Sequence, residues 1–152
     1  MSPDSLFHPD YEPVFELYPI KVPEIQSGDT YYFTTESGLQ YQVKFGKKRD
    51  NYLGNIINFS VLSEEFEDEY SETNRGEIFR IISTMIEIIR LYHENHVHSD
   101  TYEFTGEFKD TRDNQTASIR SRMYYRYARR YLDKSWEPLL EGNKVIIRKL
   151  KP

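Results

Sequence analysis

Hydrophobic and polar residues alternate most regularly between positions 39 and 45. The apolar positions are Leu39, Tyr41, Val43 and Phe45. A period of two is typical of a half-buried strand. Ser37 and Gly38 precede this segment as a tight two-residue turn, so residues 30–35 are predicted to pair antiparallel with 39–45. A third strand, roughly 52–62, is predicted to extend this meander.

A second pattern, between about 75 and 94, has the period of a helix. Its apolar positions are Ile78, Ile81, Ile82, Met85, Ile86, Ile88, Ile89 and Tyr92. They cover most of the circumference and leave a narrow polar stripe of Glu77, Arg80, Thr84, Glu87 and Arg90. Asn74 and Glu77 resemble a capping box at the start. Isoleucine is a poor helix former, but packing is expected to override its propensity, so this is predicted to be the central core helix, lying across the sheet.

The remaining segments predict shorter elements. Prolines near the start predict that residues 1–12 form an extended arm, and "VFELYPI" is predicted to be an edge strand. "DTYEFTG" predicts a short strand, 116–132 a second helix rich in arginine and tyrosine, and "NKVIIRKL" a closing strand. Trp136 is expected to be a core anchor in the loop before that strand. The predicted fold class is α+β: a mainly antiparallel twisted sheet packed on two helices, in a single domain of residues 1–152.

Composition narrows the functional classes. The 152 residues include 13 tyrosines and 9 phenylalanines, which favour a packed core. The absence of cysteine excludes disulfides and thiolate metal sites and favours a cytoplasmic location. The N-terminal residues lack an export signal, and no run approaches the roughly 18 apolar residues of a membrane span, so no membrane partner is predicted. The formal net charge of −5 disfavours bulk attraction to nucleic acid but leaves room for a local basic patch.

The second predicted helix, "ASIRSRMYYRYARRYL", carries the main candidate site. Ile119, Met123, Tyr127 and Tyr131 recur every four residues and predict an apolar stripe that docks on the core. The arginines fall on another face, where planar guanidinium groups suit carboxylate or phosphate. The candidate anion-binding residues are Arg112, Thr116, Ser118, Arg120, Arg122, Tyr125 and Arg126. The alternative interpretation is that these arginines pair with the acidic loop at 64–72.

A weaker candidate is a metal site in "HENHVHSD". His93, His96, His98 and Asp100 lie close together in sequence, and imidazole with carboxylate can bind zinc or a similar ion. The spacing matches no recognised pattern, and a histidine at a helix C-terminus is also favoured by the helix dipole. The sequence therefore predicts no metal and no cofactor, with these four residues as the alternative.

The order of elements in the second half adds a resemblance. An apolar helix, the strand and turn "YEFTGE", the helix "ASIRSRMYYRYARRYL" and the segment "WEPLLEGNKVIIRKL" resemble a bacterial family of uncharacterised proteins of similar length. They also resemble small phage-encoded proteins with a Ser-x-Arg-x-x-x-Tyr helix. The resemblance covers roughly 74–150 and implies a link to mobile elements or bacterial conflict systems. The residues that it would mark are Thr105, Gly106, Ser118, Arg120, Arg122, Tyr124 and Tyr125.

Three functional hypotheses follow. The first is a small interaction module that binds a protein partner or a phosphate-bearing ligand through the arginine-rich helix, as part of a phage, mobile-element or toxin–antitoxin-like system. Nucleic acid is the less favoured anionic partner, and homo-oligomerisation stays open. The second is an enzyme, a metal-independent nuclease or a nucleotide-processing activity, in which Arg120 or Arg122 stabilises phosphoryl charge. The third is a structural virion or scaffold protein.

Overall fold

The fold is α+β, as predicted. A computed structural model describes residues 5–13, 15–36, 38–61, 75–105 and 119–150. These ranges contain a seven-stranded sheet of order β1-β2-β3-β4-β5-β7-β6 and two helices. The strands are Ile20–Lys21 (β1), Thr30–Thr34 (β2), Gln40–Lys47 (β3), Gly54–Val61 (β4), Thr101–Thr105 (β5), Trp136–Glu141 (β6) and Lys144–Lys149 (β7). The helices are Arg75–Glu94 (α1) and Ile119–Tyr131 (α2).

The predicted meander is confirmed, and its first turn differs from the expectation. Thr34 pairs with Gln40, and the Thr35 N–H donates to the Leu39 carbonyl at 2.9 Å, so the tight connection has three residues rather than two. Gly38 adopts a φ of 90°, which suits glycine. A two-residue turn would shift the register by one and place Tyr31 and Phe33 on the solvent face. The hydrophobic pattern therefore sets the register, and the turn length follows from it.

The strand predicted at roughly 52–62 begins later than expected. Tyr52 is 85% exposed, and the Gly54 N–H closes a turn onto the Asn51 carbonyl at 2.9 Å. β4 starts at Gly54 and buries Asn55 and Ile57.

α1 connects β4 to β5, which lie side by side in parallel. This is the one parallel pair among the strands of the described ranges, because every other neighbouring pair is antiparallel. Five isoleucines of α1 are buried, as expected for a core helix, and Ile78 near its start is half-buried; the five are Ile81, Ile82, Ile86, Ile88 and Ile89. No helix within the described ranges is long and apolar enough to cross a membrane.

The polar stripe of α1 is covered by residues from the N-terminal part of the chain. The Tyr18 N–H donates to Thr84 Oγ1 at 3.1 Å, and Arg80 Nε donates to the Glu16 carbonyl at 2.9 Å. The Arg80 guanidinium also lies 4.0 Å above the Tyr18 ring. Thr84 is completely buried as a result.

This covering explains why the predicted edge strand at 14–20 is wrong. The backbone groups of Glu16 and Tyr18 bond to α1 and are not available to a strand neighbour. Strand pairing begins after Pro19, where Ile20 pairs with Phe33. Of the segment predicted as an extended arm, the structure describes residues 5–12, in which Leu6 and Phe7 are buried and Phe7 forms an isolated antiparallel bridge with Leu132.

β6 was not predicted, because Pro138 and the charged residues around it resemble a loop. The strand lies at the edge of the sheet, where proline is tolerated because the lost N–H donor is not needed by a second neighbour. Trp136 is the expected core anchor, 4% exposed, but it opens this strand instead of lying in a loop. Gly142, with a φ of 57°, makes the two-residue turn into β7.

The burial of α1 predicts that replacing a buried isoleucine by alanine destabilises the protein much more than replacing an exposed one. We expect Ile86→Ala to lower the free energy of unfolding by about 2–5 kcal/mol, because it leaves a cavity at a fully buried position. Ile25→Ala is the matched control, since Ile25 is 67% exposed. Urea unfolding followed by the fluorescence of Trp136, the single tryptophan, measures both. Equal midpoints for the two variants would contradict the packing described.

Candidate functional site

α2 is rotated relative to the predicted apolar stripe. Of Ile119, Met123, Tyr127 and Tyr131, Tyr131 is buried, Met123 and Tyr127 are half-buried, and the side chain of Ile119 is outside the described set. The buried face consists of Ser121, Tyr124, Ala128 and Tyr131. Small side chains let the helix approach the sheet closely, and the Tyr124 ring meets the Phe104 ring edge-on at 5.2 Å. The sequence pattern missed this face because serine and alanine were not counted as core positions.

The opposite face of α2 presents arginines. Arg122, Arg126 and Arg129 are exposed and lie at positions i, i+4 and i+7, which share one side of a helix. We call these three residues the arginine face. Tyr125 is half-buried beside them, and Arg130 lies 5.5 Å from the ring centroid of Tyr131. Two of the predicted binding residues, Arg122 and Arg126, are therefore brought together.

The pairing of charges differs between the two helices. On α1, Arg90 pairs with Glu87 and Glu94, and Arg80 pairs with Glu36. The residues of the arginine face form an ion pair with none of the described carboxylates. The acidic loop at 64–72, proposed as an alternative partner, lies outside the described residues.

The other predicted members of the anion site lie at the start of α2. Arg112, Thr116 and Ser118 are outside the described residues. Arg120 belongs to the first turn of the helix, but its side chain is not among those described. The described part of the candidate site is thus the exposed side of the helix, with Tyr125 at its edge.

The four residues of the histidine turn lie in separate environments. His93 Nδ1 and the Tyr102 hydroxyl are joined by a buried hydrogen bond of 2.6 Å, and burial raises the pKa of Tyr102. His96 stacks on Tyr92 at 3.8 Å, and its Nδ1 bonds to the Tyr92 carbonyl at 2.9 Å. His98 is exposed, while Asp100 Oδ1 accepts a hydrogen bond from Asn51 Nδ2 at 3.0 Å. Within the ranges described, no group of three or more His, Asp or Glu side chains could hold a metal ion.

A second site, not predicted from the sequence, lies between the N-terminal segment and α1. It is an open cavity of about 500 Å³, which we call the N-terminal cleft. One wall comes from residues 5–13, and the other from the C-terminal half of α1 and the turn that follows. The lining residues are Ser5, Leu6, Phe7, His8, Pro9, Tyr11, Pro13, Glu87, Arg90, His93, Glu94 and Val97.

A carboxylate and guanidinium network occupies the α1 wall of this cleft. Arg90 Nε donates to Glu87 Oε1 at 2.9 Å and its NH2 group donates to Oε2 at 2.6 Å, a bidentate pair. The Arg90 NH1 group donates to Glu94 Oε1 at 2.5 Å. Hydrogen bonding to Glu87, against the opposing effect of burial, raises the pKa of Arg90, so the guanidinium stays charged.

Tyr11 faces this network from the N-terminal wall. Its hydroxyl donates to Glu87 Oε1 at 3.5 Å, a long hydrogen bond, and burial raises the pKa of the phenol. The sequence held a signal for this site: Glu87, Arg90 and Glu94 have the i, i+3 and i+4 spacings of helical ion pairs within an apolar helix. The N-terminal wall carried no comparable pattern.

A third cluster of charges lies on the other face of the sheet. Glu103 of β5 is 9% exposed and pairs with Lys48 and Lys144, the latter at 3.3 Å. Burial acts to raise the pKa of Glu103, but hydrogen bonds from the two lysines outweigh it, so the pKa is lowered. The three residues join β5 to β7 and to the residue after β3 and are best explained as a structural ion cluster.

Comparison with known proteins adds no relative. The chain matches no protein-family model, and no curated protein or solved structure is significantly similar to it.

The lowered pKa of Glu103 predicts a pH-dependent stability. We expect Glu103→Gln to lower the free energy of unfolding by about 1–3 kcal/mol at neutral pH, because two charged hydrogen bonds lose their carboxylate. A carboxylate with a depressed folded-state pKa stabilises above its unfolded pKa of about 4.3, and this contribution is lost as the pH falls through the folded value. The difference between wild type and variant should therefore shrink in acid.

Urea unfolding across that pH range, followed by Trp136 fluorescence, measures the difference. Glu24→Gln serves as the control, because Glu24 is exposed and should change stability little at any pH. The assignment is contradicted if the difference in free energy of unfolding between wild type and Glu103→Gln stays constant down to strongly acidic pH.

Proposed function

We propose that the protein is an interaction module that binds an extended anionic partner through the arginine face of α2. The observation that carries this proposal is the exposure of Arg122, Arg126 and Arg129 on one side of the helix, with no ion pair to any described carboxylate. Arg80 and Arg90 of α1, by contrast, are paired. Arginine that is exposed and unpaired can form bidentate hydrogen bonds with phosphate or carboxylate.

The shape of this surface favours a chain over a small ion. With a helical rise of 1.5 Å per residue, the first and last of the three arginines are separated by about 10 Å along the axis. They lie on a convex helix surface and do not converge on one point. A linear polyanion, with charges spaced along its length, can contact all three in succession. Tyr125 lies at the edge of the same face, where an aromatic ring can stack on a base.

On this shape, a single strand of nucleic acid is the partner that we favour, although the overall charge alone disfavours nucleic acid, and an acidic protein segment is the alternative outcome of the test. The overall negative charge implies that binding is local and weak at high salt. We also propose that the protein acts in the cytoplasm, which the lack of cysteine supports. A role in a phage, mobile-element or bacterial conflict system is supported by the resemblance of roughly residues 74–150.

The nuclease alternative would use the same part of α2, beside the arginines. Tyr125 is the described residue there with a hydroxyl that could move a proton. Inspection of the bound oligonucleotide for cleavage separates binding from catalysis in the same experiment.

The proposal predicts a loss of binding when the arginine face is removed. The variant is Arg122→Ala with Arg126→Ala and Arg129→Ala, and the probe is a fluorescein-labelled single-stranded oligoribonucleotide followed by anisotropy. We expect binding to weaken roughly tenfold or more at about 50 mM salt, because three phosphate contacts are lost. A control triple, Lys21→Ala with Lys44→Ala and Arg49→Ala, removes the same charge from other exposed positions and should have little effect.

The salt dependence gives a second, quantitative outcome. Three phosphate contacts predict a slope of about −2 for the logarithm of the binding constant against the logarithm of the salt concentration. An acidic peptide of matched charge, run as a competitor, identifies the alternative partner if it displaces the oligonucleotide at equal concentration. The proposal is wrong if the arginine triple and the control triple lose affinity equally.

A further inference from the structure

The N-terminal cleft is held open by backbone hydrogen bonds. The His8 N–H donates to the Tyr131 carbonyl at 3.1 Å, and the Asp133 N–H donates to the Leu6 carbonyl at 2.9 Å. The Phe7 and Tyr11 rings lie 4.4 Å apart, and Tyr11 meets Tyr131 edge-on at 5.3 Å. The N-terminal wall is therefore fixed against the end of α2, and the other wall belongs to the core helix α1, so the cleft is preformed, as in most small-molecule sites.

The charges in the cleft favour a cation. Two carboxylates, Glu87 and Glu94, face one guanidinium, Arg90, so these groups leave one net negative charge. Arg90 is already engaged by both carboxylates, and an incoming anion would be repelled by them. Tyr11 adds no charge, since its phenol stays protonated. A carboxylate can accept about four hydrogen bonds, so Glu94, whose side chain is 59% exposed, can accept from a further donor.

The rest of the lining is suited to an apolar chain. Leu6, Phe7, Pro9, Pro13 and Val97 contribute hydrocarbon surface. Phe7 and Tyr11 also provide aromatic rings, which attract cations as well as alkyl groups. The cavity thus combines an anionic end with an apolar wall.

We infer that the N-terminal cleft binds a protonated alkylamine, with its ammonium group at Glu87 and Glu94 and its alkyl chain along the proline and aromatic wall. The ammonium donates hydrogen bonds to the carboxylates and offsets their excess charge. The chemistry is shared by a free aliphatic amine and by a lysine side chain of another protein. The cleft has no lining residue in common with the arginine face, so this inference and the proposed function can fail independently.

The test is a titration of the full chain with n-hexylammonium, followed by amide chemical shifts in NMR. We expect shifts confined to residues 5–13 and 87–97, with a dissociation constant on the order of 1 mM for so small a ligand. Hexanol and hexanoate, which have the same chain without the positive charge, should bind at least about tenfold more weakly. Shortening the amine should weaken binding by up to about fourfold for each buried methylene lost.

Substitutions separate the role of charge from that of shape. Glu94→Gln removes one charge at an exposed position and keeps an acceptor for Arg90, and it should weaken hexylammonium binding about threefold. Glu141→Gln, exposed and outside the cleft, is the matched control and should bind as wild type does. Because the fold is not expected to depend on Glu94, its result stands even if the more buried Glu87→Gln variant is unstable. Equal or tighter binding of hexanoate, or no shift in the cleft, overturns the inference.

The source of the amine is distinguished by a second ligand pair. Nα-acetyl-lysine methylamide presents the same ammonium as part of a peptide, and its Nε-acetylated form lacks the charge. Tighter binding of the charged lysine derivative than of hexylammonium identifies a lysine of a partner protein as the occupant. Tighter binding of hexylammonium identifies a free amine. Binding of the Nε-acetylated form as tight as that of its charged counterpart would contradict the role assigned to the carboxylates.

Discussion

The burial of α1 on two opposite sides is the constraint on which the rest of the structure depends. Its isoleucines pack against the sheet, where they meet the inward residues of the strands. Its polar stripe would face water in a two-layer fold, but the N-terminal segment covers it and supplies partners for Arg80 and Thr84. Each buried polar group on that side needs such a partner, because an unpaired one is costly. The path of residues 15–18 is therefore determined by the side chains of α1.

This arrangement also divides the charged residues into two kinds. Along α1, Arg80 and Arg90 are fixed by carboxylates, and Arg80 also donates to the Glu16 carbonyl, so the two contribute to the fold and, through Arg90, to the wall of the N-terminal cleft. Along α2, tyrosine and small residues supply the core contact, and Arg122, Arg126 and Arg129 extend into solvent. Arginines on the two helices thus differ in their availability to a ligand, because another segment of the chain lies over those of one helix and, among the described residues, none lies over those of the other.

Much of the sheet and both helices could be predicted from the sequence, because each has a period. The alternation in β3 and the near-continuous apolar surface of α1 are such patterns. What could not be predicted depends on contacts between distant segments. β6 was missed because Pro138 resembles a breaker unless the strand is known to be at an edge. The orientation of α2 was missed because Ser121 and Ala128 are buried only where the helix lies close to the sheet. That closeness depends on the surface against which the helix packs, which the sequence of the helix does not show. The N-terminal cleft required the position of residues 5–13, which have no periodicity.

The parallel pairing of β4 with β5 has a consequence for how the molecule forms. It joins two groups of strands, β1 to β4 and β5 to β7, through three aligned residue pairs, and the connection between them runs through α1 and the residues before it. The meander β1 to β4 and the β6–β7 hairpin can form after short loop closures, whereas this seam and the β5–β7 pair each require the closure of a long one, because β5 is far along the chain from both of its neighbours. We expect the meander and the hairpin to assemble early and β5 to pair with both of them late, so the two halves of the sheet are joined in a later step of folding.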